Sequence, residues 1–490
     1  MSPETRPPSP APSALIRNWF SLVGLVIITG SVFSFILLFV LDAMFSASNP
    51  YLGLLTYVVA PGFFFFGAAL VIGGVWLRRR KYSKSAAILP NIQIDLSRPR
   101  DRHLLGWFLF GSVVFLLLSA MGSYQTYHYT ESVQFCGQAC HTVMKPELVT
   151  YQHGPHARVA CTECHIGKGA TWFVRSKISG TYQLYAVAFD KYPRPVPTPI
   201  KNLRPAQETC EQCHWPSKFV GNMERTYNYY LSDESNSTWS ISLLLKVGGG
   251  DPTHGPVGGI HWHMNIGRKV EYFASDESRQ KIPWIRTTDK SGVVTEYRAK
   301  GFTNAIDPAA IRRMDCIDCH NRPAHKYQTP DDAVALAFSL NHLDPTIPWL
   351  KTNAVYALTR KYTNDTDAMQ GIATLLASRY PGEPRITAAI DTVQQIYRDN
   401  FFPEMKASWR NYPENIGHKN WPGCFRCHDG NHFAGDGKSM IKSDDCNACH
   451  TILSQGTGAD LVKMTPAGQE FKHPGGDSDH DCTECHSGDL

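Results

Sequence analysis

The cysteines of this chain come in pairs, and every pair is closed by a histidine. All fourteen fall into seven such sets. Six leave two residues between the thiols: Cys161 and Cys164 before His165, Cys210 and Cys213 before His214, Cys316 and Cys319 before His320, Cys424 and Cys427 before His428, Cys446 and Cys449 before His450, and Cys482 and Cys485 before His486. The earliest, Cys136 and Cys140 before His141, leaves three. Two thiols at this spacing add across the two vinyl groups of one porphyrin, and the adjacent histidine then lies beneath the iron as proximal ligand. Zinc knuckles need two coupled Cys/His pairs, and a redox dithiol does not need the trailing histidine. Six regular sets with no cysteine left over therefore imply covalently bound c-type haem, and the seventh follows by its company.

Thirteen histidines lie outside the sets. They exceed the seven sixth-ligand positions, so most irons can take two histidines, a state that suits electron transfer better than substrate chemistry. Position beside a set, together with the resemblance given below, points to His156, His325, His418, His432 and His473. One of His261 and His263 is expected to serve as well: two apart in His-Trp-His, they point the same way in an extended chain and reach one iron. Met144 is a candidate for haem one. His128, His153, His254, His342 and His480 read as surface or hydrogen-bonding residues.

These groups must be held at a membrane. Residues 19–41, 52–77 and 104–124 carry no charge and are each long enough to cross a hydrocarbon core about 30 Å thick. Pro61-Gly62 predicts a kink in the second. Arg78, Arg79, Arg80, Lys81, Lys84, Arg98, Arg100 and Arg102 crowd the loop after it, whereas the loop before it has no Lys or Arg. The basic loop is therefore cytoplasmic, taking His103 with it, and the chain after 124 lies on the periplasmic side of a bacterial inner membrane. Net charge is +5, but residues 1–121 contribute +6 and the rest −1, so the basic excess does not mark a nucleic-acid surface.

Beyond 121, 369 residues serve seven sets, about one per 53 residues, too little for a conventional core around each. The expected fold is mainly α and haem-dominated, with three transmembrane helices and a periplasmic domain bearing a small β element and a helical insert. The divisions expected are a cytoplasmic tail at 1–18, membrane helices at 19–124, a tetrahaem domain at 125–325 with a β insertion near 270–298, a haem-free helical insert at 326–412 and a trihaem segment at 413–490. Asp289-Lys-Ser-Gly292 reads as a hairpin turn, and Thr329 with Pro330 as a helix start.

The run Phe135-Cys-Gly-Gln-Ala-Cys-His-Thr-Val-Met144, then His153-Gly-Pro-His156, then Cys161-Thr-Glu-Cys-His-Ile-Gly167, resembles the NapC/NirT family of membrane-anchored multihaem quinol dehydrogenases. The likeness extends over about residues 105–325 and ends at Cys316-Ile-Asp-Cys-His-Asn-Arg-Pro-Ala-His325. The extra helices, the three C-terminal sets and Phe425-Arg-Cys-His-Asp-Gly-Asn-His432 are similar to the larger, ImcH-type seven-haem cytochromes of metal-respiring bacteria.

The resemblance implies oxidation of membrane quinol, menaquinol included, and delivery of electrons to periplasmic c-type cytochromes or other soluble acceptors. The family places a Lys and then an acidic residue near its quinol site; Lys177 fits the first, Gln183 occupies the second position, and Asp190 follows. The amphipathic stretch 172–192, with Trp172, Phe173, Tyr182 and Tyr185 towards lipid, is expected to form that site with haem one. Two departures stand out: the third residue between Cys136 and Cys140, and Met144 three places past His141 where the family has two. The alternatives are an electron-conduit subunit without its own quinol site and a terminal multihaem reductase with an open iron. No cysteine pair is followed by Lys, as it is in multihaem nitrite reductases.

Overall fold

The computed structural model describes residues 18–44, 59–84, 96–139, 141–167, 170–200, 203–248, 258–264, 269–442, 446–476 and 486. Cys140, Cys482, Cys485, His254, His480 and residues 1–17 of the expected 1–18 tail lie outside this set, as do the side chains of His141, Phe173 and Lys177. The chain divides into two compact units, residues 1–130 with 166–180, and residues 131–165 with 181–490.

The first unit is built on long apolar helices. Helix α1, Trp19–Met44, packs on α2, Ala60–Lys84. Small residues let the backbones meet: a Cβ at Gly24 would stand 2.6 Å from the Gly67 carbonyl, and one at Gly67 would stand 2.8 Å from the Gly24 carbonyl. The Ser31 hydroxyl donates to the Ala60 carbonyl at the same seam. Pro61-Gly62 falls in the first turn of α2, where a missing N–H costs nothing; residues 52–58 lie outside the described set.

Among the described residues two helices, over Trp19–Ile36 and Ala60–Arg80, are long and apolar enough to cross a membrane. The third expected span lies within helix α3, Pro99–Thr130.

The second unit carries the cysteine sets. Helix α4, His141–Gln152, follows the first set; helix α5, Ala170–Ala188, follows the second and is divided between the two units after Gly180. A three-stranded antiparallel sheet has the order β1-β2-β8, with β1 Met223–Tyr230, β2 Thr238–Leu245 and β8 His450–Gly456. A five-stranded sheet has the order β6-β3-β4-β5-β7, with β3 Lys269–Phe273, β4 Trp284–Thr288, β5 Val294–Ala299, β6 Arg312–Arg313 and β7 His432–Ala434.

The turn 289–292 closes the β4–β5 hairpin through Asp289 N to Val293 O at 3.0 Å, with Gly292 at φ 83° where a Cβ is disfavoured. The sheets are wider than the sequence pattern suggested. β6, β7 and β8 abut cysteine sets, and β8 begins at His450 itself.

Helices α6 Pro330–Ser339, α7 Leu350–Thr359, α8 Asp365–Arg379 and α9 Ile386–Asn400 form the insert. Thr329 caps α6 by accepting from Asp332 N at 3.2 Å, with Pro330 in its first turn. Asn364 caps α8 in the same way. Their apolar faces bury Val334, Leu350, Ala354, Leu358, Ile372, Leu376 and Val393 completely, in a core that also takes Val143, Tyr327 and Trp409. This apolar core holds the insert beside α4 and the segment after the fourth set.

Candidate functional site

Each described set sits on a short helical turn, which brings its thiols and histidine to neighbouring positions. The fourth is the most tightly built. Asp315 and Asp318 form a reciprocal cap on Cys316–Cys319, Tyr272 Oη donates to Asp318 Oδ1 at 2.6 Å, and Arg279 adds a bond at 3.2 Å. Buried Asp318 therefore rivets the set to β3. Before Cys424, Gly423 has φ 50°, and a Cβ there would stand 1.8 Å from the Gly417 carbonyl, so the turn requires glycine.

The third, fifth and sixth sets are more open, each with one exposed cysteine, Cys213, Cys424 and Cys446. Cys213 lies exposed, with its backbone N–H on the Cys210 carbonyl at 3.1 Å, so only the first thiol of that set turns inward. In the sixth set it is Cys446 that is exposed, while Cys449 is half-buried. The Cys449 N–H bonds the Cys446 carbonyl at 3.2 Å, and its own carbonyl accepts from Lys246 N at 2.8 Å, which ties the set to the end of β2. A thiol that bonds a porphyrin vinyl group at the rim of a surface macrocycle does not need to be enclosed by protein.

The histidines form facing couples. Ring centroids lie 6.3 Å apart for His165 and His325, 6.1 Å for His156 and His214, and 6.3 Å for His261 and His320. They lie 6.0 Å apart for His263 and His428, 6.3 Å for His418 and His450, and 6.1 Å for His473 and His486. Every couple joins one histidine that closes a set to one that does not. With a metal–nitrogen bond of about 2 Å on each side and each ring centre about 1 Å behind its nitrogen, two imidazoles on one metal stand about 6 Å apart.

The outer nitrogens agree with that reading. Nδ1 of His325 bonds Glu147 O, that of His156 bonds Pro323 O, that of His261 bonds Val247 O and that of His263 bonds Ile260 O, each at 2.9 Å. A carbonyl on Nδ1 fixes the tautomer and leaves Nε2 free to bind. Burial, aided by His165 opposite, pushes His325 down to about 4, which keeps the ring neutral near pH 7.

Two expectations about histidines are corrected. Among the described residues His432 pairs ring to ring with no set histidine; it is 2% exposed, with Nδ1 on Asp429 at 2.8 Å and Nε2 on the Ile282 carbonyl at 2.7 Å, so both nitrogens are engaged. Its position beside a set gave no hint of this. His261 and His263 were expected to compete for one partner, but each has its own. They lie on the 3₁₀ turn Ile260–Met264 rather than in an extended chain.

Met144 is half-buried on α4, and His153 lies exposed with Nδ1 on the Val149 carbonyl. His128 and His342 are exposed. Gln183 and Asp190 are exposed, and Asp190 pairs with Arg194 at 2.6 Å.

Sequence reasoning missed a buried polar group beside His325. Glu147 Oε2 and the Nε and Nη2 of Arg322 are buried without a hydrogen-bond partner, and the Arg322 guanidinium lies 4.1 Å over the Tyr412 ring. Burial raises Glu147 against the pull of Arg322, and burial likewise lowers Arg322. Unfilled guanidinium donors in a dry site suit a carboxylate, and a haem carries two propionates. Only Arg322, two places after a set histidine, was visible as a signal.

Thiol neighbours complete the site. The Cys161 side chain lies beside Cys136, and that of Cys210 beside Cys316. The first set thus meets the second, and the third meets the fourth. Among the described residues no three His, Cys, Asp or Glu side chains gather as a metal cluster.

The paired thiols, the facing rings and the unfilled Arg322 donors all fit haem. Comparison with known proteins agrees. Residues 98–196 match the NapC/NirT cytochrome c family, N-terminal region. Over 490 residues, spanning 96% of this chain and 95% of the relative, the chain is 40% identical to "Cytochrome c-type protein ImcH" of Geobacter sulfurreducens. The chain belongs to the NapC/NirT cytochrome c family. It is an ImcH-type member, and so a membrane-associated c-type cytochrome with covalently bound haem. The NapC/NirT match holds the first two cysteine sets, Lys177, Gln183 and Asp190, and ends before Cys210. No solved structure matches the chain.

Proposed function

We propose that this cytochrome binds seven haems, takes electrons from membrane menaquinol or a related quinol and passes them to periplasmic c-type cytochromes or other soluble acceptors. The single observation that carries the electron-transfer reading is the set of facing histidine couples at 6.0–6.3 Å. Haem held between such couples would supply one-electron carriers that change little on reduction.

The chain's own residues supply the rest. Each thiol pair fixes a macrocycle, with exposed Cys213 and half-buried Cys449 as the second attachments of the third and sixth sets. The couples His165/His325, His156/His214, His418/His450 and His473/His486 would hold the irons. Backbone carbonyls orient the outer nitrogens of His156 and His325. Arg322 holds a propionate. Met144 is proposed as the partner of His141. Cys140, Cys482 and Cys485 complete the first and last attachments, and Lys177, with Gln183 and Asp190, is proposed to assist release of the quinol protons. The family resemblance and the apolar helices support the quinol reading.

The test is an anaerobic optical titration of the full-length protein in membranes, with a menaquinol analogue as reductant. Haem reduction, slowed severalfold by Lys177→Leu, supports the reading. Haem that dithionite reduces but quinol does not would make the chain a conduit fed by another protein, and an unchanged rate in Lys177→Leu would remove that residue from the site.

A further inference from the structure

The four cysteine sets from 136 to 320 and the three from 424 to 486 are separated by about a hundred residues of sequence, yet a single short turn touches both groups. In the turn Ile260–Met264, the His261 ring stacks at 6° on His320 of the fourth set, 6.3 Å away, and the His263 ring stands at 88° to His428 of the fifth set, 6.0 Å away. We propose that His261-Trp262-His263 is a two-iron clasp: His261 is the second axial ligand of the haem at His320, His263 that of the haem at His428. This rests on the haem reading above and adds a joint between its two halves.

Local geometry explains why neighbours two apart separate. With three residues per turn in a 3₁₀ helix, side chains at i and i+2 diverge by about 120°, whereas in a strand they would share a face. Each histidine is then locked independently, His261 through Val247 O and His263 through Ile260 O. Trp262 packs on Val270, Tyr272, Ile282 and Ile285, anchoring the turn to the five-stranded sheet.

The same sheet holds both haem sets. Its edge strand β6 runs into the fourth set, and the opposite edge, β7, follows the fifth. Side chains then strap the sets directly: Arg426, between Cys424 and Cys427, donates to Asp318 O at 2.8 Å and to Arg279 O at 2.9 Å, and Asn415 donates to Asp318 O at 2.9 Å. Two irons ligated two residues apart, on sets bonded to each other, form one rigid unit, which a flexible linker between a four-haem and a three-haem domain would not provide.

The experiment compares His261→Ala, His263→Ala and the double variant in the full-length, haem-loaded protein, by covalent haem content and by high-spin ferric signal in electron paramagnetic resonance. Each single variant is expected to convert one haem equivalent to high spin, the double variant two, with added imidazole restoring low spin. Fully low-spin single variants would mean that the two histidines substitute for each other on one iron, and a response in only one of them would leave a single ligand; either overturns the clasp.

Where an alanine variant loses haem during maturation, His261→Met and His263→Met read the same question through one His/Met-ligated haem each; their absence counts against the clasp. Wild-type protein without covalent haem would instead sink the haem reading itself.

Discussion

His325 and His165 stand 160 residues apart in sequence and face each other ring to ring at 6.3 Å, with His325 tethered to the Glu147 carbonyl. The histidine after the fourth cysteine set thus faces that of the second set, while His156, just before the second set, faces that of the third and is tethered to Pro323 beside His325. This exchange interlocks the segments and makes the facing couples non-local.

His325→Ala is expected to turn one haem equivalent high-spin while the covalent haem count stays unchanged, since attachment depends on Cys161 and Cys164. Electronic absorption with and without imidazole checks it. A fully low-spin variant would mean that another residue ligates that iron.

His432→Ala is expected to do the opposite. Spin states stay as in wild type, but the buried Ile282 carbonyl loses its partner and the exposed Asp429 carboxylate its contact, a cost of about 2 kcal/mol. A lower thermal midpoint with an unaltered ligand spectrum is the expected outcome.

Arg322→Met removes a buried positive charge beside His325 and is expected to lower one haem potential by about 30–60 mV, up to a tenfold change in a one-electron equilibrium. Arg322→Lys, which keeps the charge, is expected to stay near wild type. Potentiometric titration separates the two, and equal shifts in both variants would argue for a packing role instead.

Glu271 lies between Lys269 and Arg286 on β3 and β4, with Arg286 at 2.8 Å. Burial works to raise its pKa, but Lys269 and Arg286 outweigh that and hold it below the ordinary 4.5. Its folded value being depressed, its contribution is complete above about pH 4.5 and disappears as pH falls through the folded value. Glu271→Gln is expected to cost about 1 kcal/mol at neutral pH and to flatten the loss of thermal stability on acidification. An equally steep acid loss in the variant would contradict this.

Much of the chemistry was legible in the sequence because haem attachment is local: thiols and proximal histidine lie within a few residues. The β4–β5 hairpin and the Thr329 cap were legible for the same reason, each being written by adjacent residues. How far each thiol is enclosed was not, since the exposure of Cys213 and the seating of Cys449 against β2 depend on what the rest of the chain lays beside the set. Sixth ligands are not local either. His156, His325, His418 and His473 stood out by nearness to a set, as did His432, which is instead buried against the Ile282 carbonyl through a strand pairing. The roles of His261 and His263 turned on a 3₁₀ turn in place of an extended chain. The sheet β1-β2-β8 joins residues more than two hundred positions apart, and the Glu147–Arg322 pair is visible only once α4 and the fourth set are brought together.

The most direct measurement of the central claim is electron cryo-microscopy of the haem-loaded protein in lipid, resolving each iron and its two axial atoms. The account predicts iron midway between the rings of His165/His325, His156/His214, His261/His320, His263/His428, His418/His450 and His473/His486, with His432 on none. Iron bearing water at the sixth position of these sites, or a different histidine there, would contradict it.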